Sequence, residues 1–315
     1  MQAELPRVLS AGGLTPTIHE LLANRVELLP WEAAQGAAAD SVAGIFSYGH
    51  DPVDELLLAR LSNLRVISNH GVGVDHIDVE AARRRGIPVG NTPAILDAAV
   101  ADMAMALLLA AARRLAEGDR FARTSGATEF DPSALHGRDV HGATLGIVGL
   151  GNIGYQIARR ARGFDMRIVY HNRNRREAVE RELAAEYLSL DDLLATADFL
   201  VLICPLSDST RGLIGRRELA QMKPTATLVN IARGGVVDTG ALTAALQERS
   251  IYAAALDVTD PEPLPADHPL LALDNVTLTP HLGSATVETR RRMAELAVDN
   301  LLAGLAGEEM KCRVV

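Results

Sequence analysis

Short apolar runs alternate with helix-spaced patterns from the start of the chain. Residues 7–10 (Arg-Val-Leu-Ser) read as a strand and residues 16–23 as the helix that follows. Residues 26–29, 43–47 and 64–68 read as further strands, with a helical segment at 54–61 among them. A second rhythm of the same kind begins at Thr144 and runs to His281, with strands at 145–148, 167–170, 199–203, 228–230 and 252–256. Strands separated by helices predict parallel pairing, because a parallel neighbour can be reached only through a crossover, and crossover helices cover both faces of the sheet. The fold class predicted is therefore α/β, with two doubly wound parallel-sheet domains.

Between the two rhythms lies an apolar helix at 96–114, followed by a polar stretch with glycines at 118–142. A last helix at 286–305 carries Met293, Leu296, Ala297, Leu301 and Leu302 at helical spacing, after the second sheet is complete. This order predicts an insertion. Residues 1–97 plus 287–315 would form a flavodoxin-like substrate-binding domain. Residues 98–286 would form a Rossmann cofactor domain, with the active site in the crevice between the two. A length of 315 residues with 48% hydrophobic content is enough for two such cores.

Composition narrows the partners. A net charge of −9 and only 3% aromatic residues read against nucleic acid or an anionic membrane as partner. Cys204 and Cys312 make no CxxC pair and no ligand cluster, so neither a metal nor a structural disulfide is expected. No basic stretch followed by an apolar run opens the chain, and the most apolar helix is short and interrupted by Asp102. The expected location is the cytoplasm.

Gly149-Leu150-Gly151-Asn152-Ile153-Gly154 fits G-x-G-x-x-G, lying between a strand at 145–148 and a helix at 153–161. In that context the glycines allow a tight turn and close approach to a pyrophosphate, which the helix N-terminus attracts. The cofactor type follows from the end of the next strand, Tyr170-His171-Asn172-Arg173-Asn174-Arg175-Arg176. An Asp or Glu there would hold a ribose 2′-hydroxyl, and none is present. Arginine can grip a 2′-phosphate instead. The reading is NADP(H), with Asn172 and Arg173 closest, Arg175 helping, and NAD(H) as the weaker cofactor.

Three later segments carry chemistry: Asn230-Ile231-Ala232-Arg233-Gly234-Gly235, Leu256-Asp257 to Glu262-Pro263, and Pro280-His281-Leu282-Gly283-Ser284-Ala285-Thr286. Each follows a strand, where open α/β sheets bind ligands. With Val72-Gly73-Val74-Asp75 and Asn91-Thr92-Pro93, these runs resemble the D-isomer-specific 2-hydroxyacid dehydrogenases. Within that family the chain is most similar to the glyoxylate/hydroxypyruvate reductases, including bacterial ones that also reduce 2-ketogluconate. The resemblance implies reduction of a small 2-keto acid to a D-2-hydroxy acid by a homodimer. Its catalytic set maps onto Arg233, Glu262 and His281. Arg233 would hold the carboxylate or carbonyl, His281 would donate the proton, and Glu262 would fix the imidazole. The N–H groups of Val72 and Gly73 would bind the substrate carboxylate and Asp257 the nicotinamide carboxamide. Cys204, Pro205, Ile231, Ala232, Gly283 and Ser284 would also line the cofactor. The helix at 96–114 and the loop at 130–141 would meet the second subunit.

Several residues keep two readings. Cys204 is a reactive thiol or a backbone neighbour of the adenosine. His70 touches substrate or is structural, and Ser47-Tyr48-Gly49-His50 is a candidate specificity loop. Asp102 stands where relatives carry Glu and reads as structural. Two other functions stay open: an NAD-dependent relative with another substrate, and a nucleotide-sensing protein like the C-terminal-binding corepressors. Formate dehydrogenases carry Gln in place of the catalytic Glu, so Glu262 reads against them.

Overall fold

The computed structural model describes residues 4–124 and 133–315 and divides into two compact units, Met1–Leu96 with Thr286–Val315, and Asp97–Ala285. In chain order the first unit holds β1 (Arg7–Ser10), α1 (Pro16–Leu22), β2 (Glu27–Pro30), β3 (Val42–Ser47), α2 (Glu55–Arg60), β4 (Val66–Asn69), α3 (Val79–Arg84) and β5 (Val89–Gly90). Its sheet is parallel throughout, in the order β2-β1-β3-β4-β5. Alternate side chains face opposite layers, as strand geometry requires. Leu9, Ile45 and Ile67 pack on α2 and α3, while Val8, Phe46 and Val66 pack on the other face.

The second unit runs α4 (Asp97–Ala112), α5 (Leu115–Arg123), β6 (Thr144–Val148), α6 (Asn152–Ala161), β7 (Arg167–His171), α7 (Glu177–Leu183), β8 (Glu186–Tyr187), α8 (Leu190–Thr196), β9 (Phe199–Leu202), α9 (Arg216–Gln221), β10 (Thr227–Asn230), α10 (Thr239–Gln247), β11 (Ala253–Leu256) and β12 (Val276–Leu278). Seven parallel strands lie in the order β12-β11-β10-β9-β6-β7-β8. Strand order reverses between β6 and β9, the switch point where such sheets bind ligands. Strands β9, β10 and β11 are buried at every position, so they read as unbroken apolar runs. The chain then returns to the first unit as α11 (Val287–Ala306), whose Ala297 carbonyl accepts from the buried Ser68 hydroxyl of β4 at 2.7 Å.

The polar stretch predicted from residue 118 onward is helical at its start. Arg114 adopts a left-handed conformation, ends α4 and opens α5, which continues through Gly118 to Arg123. Asp102 is an ion-pair residue: its carboxylate accepts from Arg160 Nε on α6 at 2.6 Å. The first three residues of the predicted interface loop at 130–141 fall outside the described residues.

Candidate active site

Most helices are closed by a side chain at their start. Thr15, Asp54, Asp78, Ser189, Asp238 and Thr286 each accept a backbone N–H of the first turn. Helix α6 is different. Its N-cap is Gly151, with no capping side chain, and the N–H groups of residues 151–154 find no acceptor among the described residues. Gly149, at φ +108°, makes the turn from β6; a Cβ there would lie 2.6 Å from the Cys204 amide nitrogen. The result is an open cradle of backbone donors at a helix N-terminus, which suits a pyrophosphate.

At the end of β7 the predicted residues have distinct jobs. Asn172 Oδ1 accepts from Leu150 N at 2.6 Å, so this side chain braces the glycine turn. Arg175 forms a two-pronged pair with Glu180, 2.6 Å at the closer contact, and lies 5.5 Å from the centroid of Tyr187. Arg173 is exposed and makes no hydrogen bond or ion pair among the described residues. The absence of a carboxylate near the strand end is therefore true of the sequence and not of the fold. Glu180, on α7, comes back beneath Arg175 and also accepts from the Tyr170 hydroxyl.

His281 Nδ1 lies 2.7 Å from Glu262 Oε1. The backbone of His281 sits at φ +55°, uncommon for a side chain other than glycine. What enforces it is Asp257, at the end of β11 and only 1% exposed. The Asp257 backbone carbonyl accepts from His281 N at 2.9 Å. Its carboxylate accepts from Thr279 Oγ1 (2.6 Å), Leu282 N (2.7 Å) and Gly283 N (2.8 Å). A carboxylate offers about four lone-pair sites, so the residue implied to contact nicotinamide is mostly engaged in holding the His281 turn.

Arg233 follows β10 and is half-buried. Asn230, 1% exposed, donates to the Arg233 carbonyl at 2.9 Å and accepts from Ala232 N at 3.1 Å, which closes the turn. Gly234 lets that turn press on the neighbouring loop: a Cβ there would lie 2.0 Å from the Thr259 carbonyl. Ile231 and Ala232 are buried, as are Gly283 and Ser284, while Pro205 is exposed. Burial pushes the Cys204 thiol up to about 11, so it stays protonated at neutral pH and the reactive-thiol reading falls away.

In the first unit, the loop after β4 shows all its carbonyls from 71 to 73 turned onto donors. Asn69 Nδ2 donates to Gly71 O (3.1 Å) and Gly73 O (2.8 Å), and Asn91 Nδ2 to Val72 O (2.9 Å). The N–H groups of Gly71, Val72, Gly73 and Val74 have no acceptor among the described residues. Such a run of amides is suited to an anion. His70 is buried, with its ring 5.0 Å from that of Tyr48, and burial followed by the Arg290 charge lowers it to about 4. The imidazole is therefore neutral at neutral pH. In the candidate specificity loop, Ser47 Oγ lies 2.9 Å from His76 Nε2, and the His50 ring meets that of His76 edge-on.

Residues 105–283, more than half of the chain, match the model of the D-isomer specific 2-hydroxyacid dehydrogenase family, NAD binding domain. The chain belongs to this family. It is thus an oxidoreductase of the 2-hydroxyacid dehydrogenase type. A glyoxylate reductase of Aeropyrum pernix is 45% identical over 96% of this chain and 94% of its own length. The crystal structure of the TT0316 protein from Thermus thermophilus superposes with a TM-score of 0.90 at 44% identity, covering 98% of this chain and 100% of the other. An NADPH-dependent glyoxylate/hydroxypyruvate reductase from Sinorhizobium meliloti, solved with NADP and malonate, gives 0.87 at 36% identity, covering 98% and 97%.

Reading motifs along this dehydrogenase overlooks the residues that brace them. Asn230 and Asn69 each end a buried strand and reach forward to the carbonyls of the next loop. A polar residue closing an apolar strand is the signal that could have found both, since a buried amide needs partners. Glu180 was hidden because it lies on the helix after the strand end.

Proposed function

We propose that this dehydrogenase is an NADPH-preferring reductase of small 2-keto acids, with glyoxylate and hydroxypyruvate first and 2-ketogluconate as a further substrate. The products are D-2-hydroxy acids. The carrying observation is the 2.7 Å contact of His281 Nδ1 with Glu262. With Nδ1 committed to the carboxylate, Nε2 is the nitrogen that donates a proton to the carbonyl oxygen as negative charge grows there. Arg233 binds and aligns the substrate carboxylate and steadies that charge. The amides of Val72 and Gly73 give the carboxylate further donors. When bound, the reduced nicotinamide supplies the hydride that C2 receives. The names of the relatives, glyoxylate reductases, support this substrate class.

Arg173 supports NADPH, as an exposed guanidinium with no competing partner among the described residues. The Glu180–Arg175 pair favours NADH as the second cofactor, because it offsets one of the positive charges. Exposed Leu115 and Phe121 on α5 support a homodimer built near α4. No helix among the described residues is long and apolar enough to cross a membrane. The test is an assay of glyoxylate, hydroxypyruvate and 2-ketogluconate with NADPH and with NADH. Turnover that is faster per unit concentration with NADPH supports the reading. Binding of the nucleotide without turnover of any short keto acid would replace it with a nucleotide sensor.

A further inference from the structure

The amides that offer themselves to an anion after β4 are held by a frame reaching well beyond the loop. Asn91 Nδ2 fixes the Val72 carbonyl at 2.9 Å. The carbonyl of Asn91 in turn accepts from Asn300 Nδ2 on α11 at 3.1 Å. Asn300 is fully buried, and its Oδ1 accepts from Cys312 N at 3.1 Å. The segment that follows pairs with β5, the strand leading into Asn91: Val314 N donates to Val89 O at 2.7 Å and Val89 N to Val315 O at 3.3 Å. Gly90 makes room for this docking, since a Cβ there would lie 2.4 Å from the Met310 methyl and 3.0 Å from the Cys312 carbonyl.

Each link in this chain orients the next. Both hydrogen-bonding ends of the Asn300 side chain are used, so it cannot rotate without leaving a buried amide unsatisfied. The Asn91 main chain is thereby fixed between β5 and α11. Its side chain then sets the peptide after Val72, whose other end is the Gly73 N–H. We infer that Asn91 is a positioning residue for substrate binding, and that Asn300 with the 310–315 segment keeps it in place. This inference rests on the proposal that Val72 and Gly73 bind the keto-acid carboxylate. It adds that the strength of that binding is governed by a segment over two hundred residues further along the chain.

The test compares the full-length enzyme with Asn91→Ala, Asn91→Ser, Asn91→Asp and Asn300→Asp, measuring KM and kcat for glyoxylate and the Kd for NADPH. An aspartate at 91 keeps the shape and loses the donor, turning an acceptor toward Val72 O. The expected result is a KM raised about ten-fold in Asn91→Ala and further in Asn91→Asp, with kcat changed less than about three-fold. Asn300→Asp keeps the bond from Cys312 N and loses the one to Asn91, so its KM should rise less. NADPH affinity should stay at the wild-type value, a pattern that general destabilisation would not give. Asn91→Ser covers the case in which the alanine variant fails to fold. A folded Asn91→Ser or Asn91→Asp enzyme with wild-type KM would overturn the inference and leave the reductase reading standing. A wild-type protein that turns over no keto acid would remove both.

Discussion

The turn after β12 and the turn after β7 carry the two halves of the proposed chemistry, and they are built in opposite ways. At His281 several constraints converge: an uncommon backbone conformation, a ring nitrogen on Glu262, and a turn in which His281, Thr279, Leu282 and Gly283 all bond the buried Asp257. After β7, Asn172 is tied to the glycine turn, Arg175 to Glu180 and Arg176 N to the Tyr170 hydroxyl, while Arg173 extends exposed from the turn. Proton transfer depends on placement to a fraction of an ångström, which buried hydrogen bonds can supply. Recognition of a phosphate depends on charge, and an exposed arginine suffices for it.

The contrast can be broken by substitution, and the effects should fall in order. His281→Ala should lower kcat by about a hundred-fold or more, as for the loss of a general acid. A change confined to KM would remove His281 from the proton-transfer step. Asp257→Asn comes next. Its amide nitrogen would face backbone donors, leaving an unsatisfied buried group at a cost of about 1–3 kcal/mol. The expected outcome is a kcat lowered about ten-fold, a lower Tm, and NADPH binding little changed; wild-type kcat would show that the His281 turn holds itself. Arg173→Ala should weaken NADPH about ten-fold and NADH hardly at all, an effect that shrinks in high salt. Equal weakening of both cofactors would take Arg173 away from the 2′-phosphate.

The same contrast explains what could be read in advance. Alternating apolar runs mark a parallel sheet wherever the strand is long enough to show them. β5 and β8, at two residues each, and β12, at three, are too short to display a period, and their place is fixed by neighbours on the sheet. Arg233, Glu262 and His281 were legible because each stands in a distinctive local run. Asn69 closes a buried strand beside its own loop and Asn91 stands in a recognisable run, but the partners of Asn91 and Asn300 are distant in the sequence, and Glu180 acts through a helix that folds back, so no local pattern announces those contacts. The stretch at 118–142 shows in sequence only polar residues and glycines, whereas Arg114 takes the left-handed conformation and lets a new helix begin before it.

The most direct measurement is a crystal structure of the protein with NADP and oxamate, a keto-acid mimic whose amide stands in for the reacting end. The expected result has His281 Nε2 and an Arg233 N–H within hydrogen-bond distance of the oxamate, with Nδ1 still on Glu262. An oxamate bound away from Arg233, or a His281 ring turned off Glu262 once the ligands are in place, would contradict the proposed proton donor.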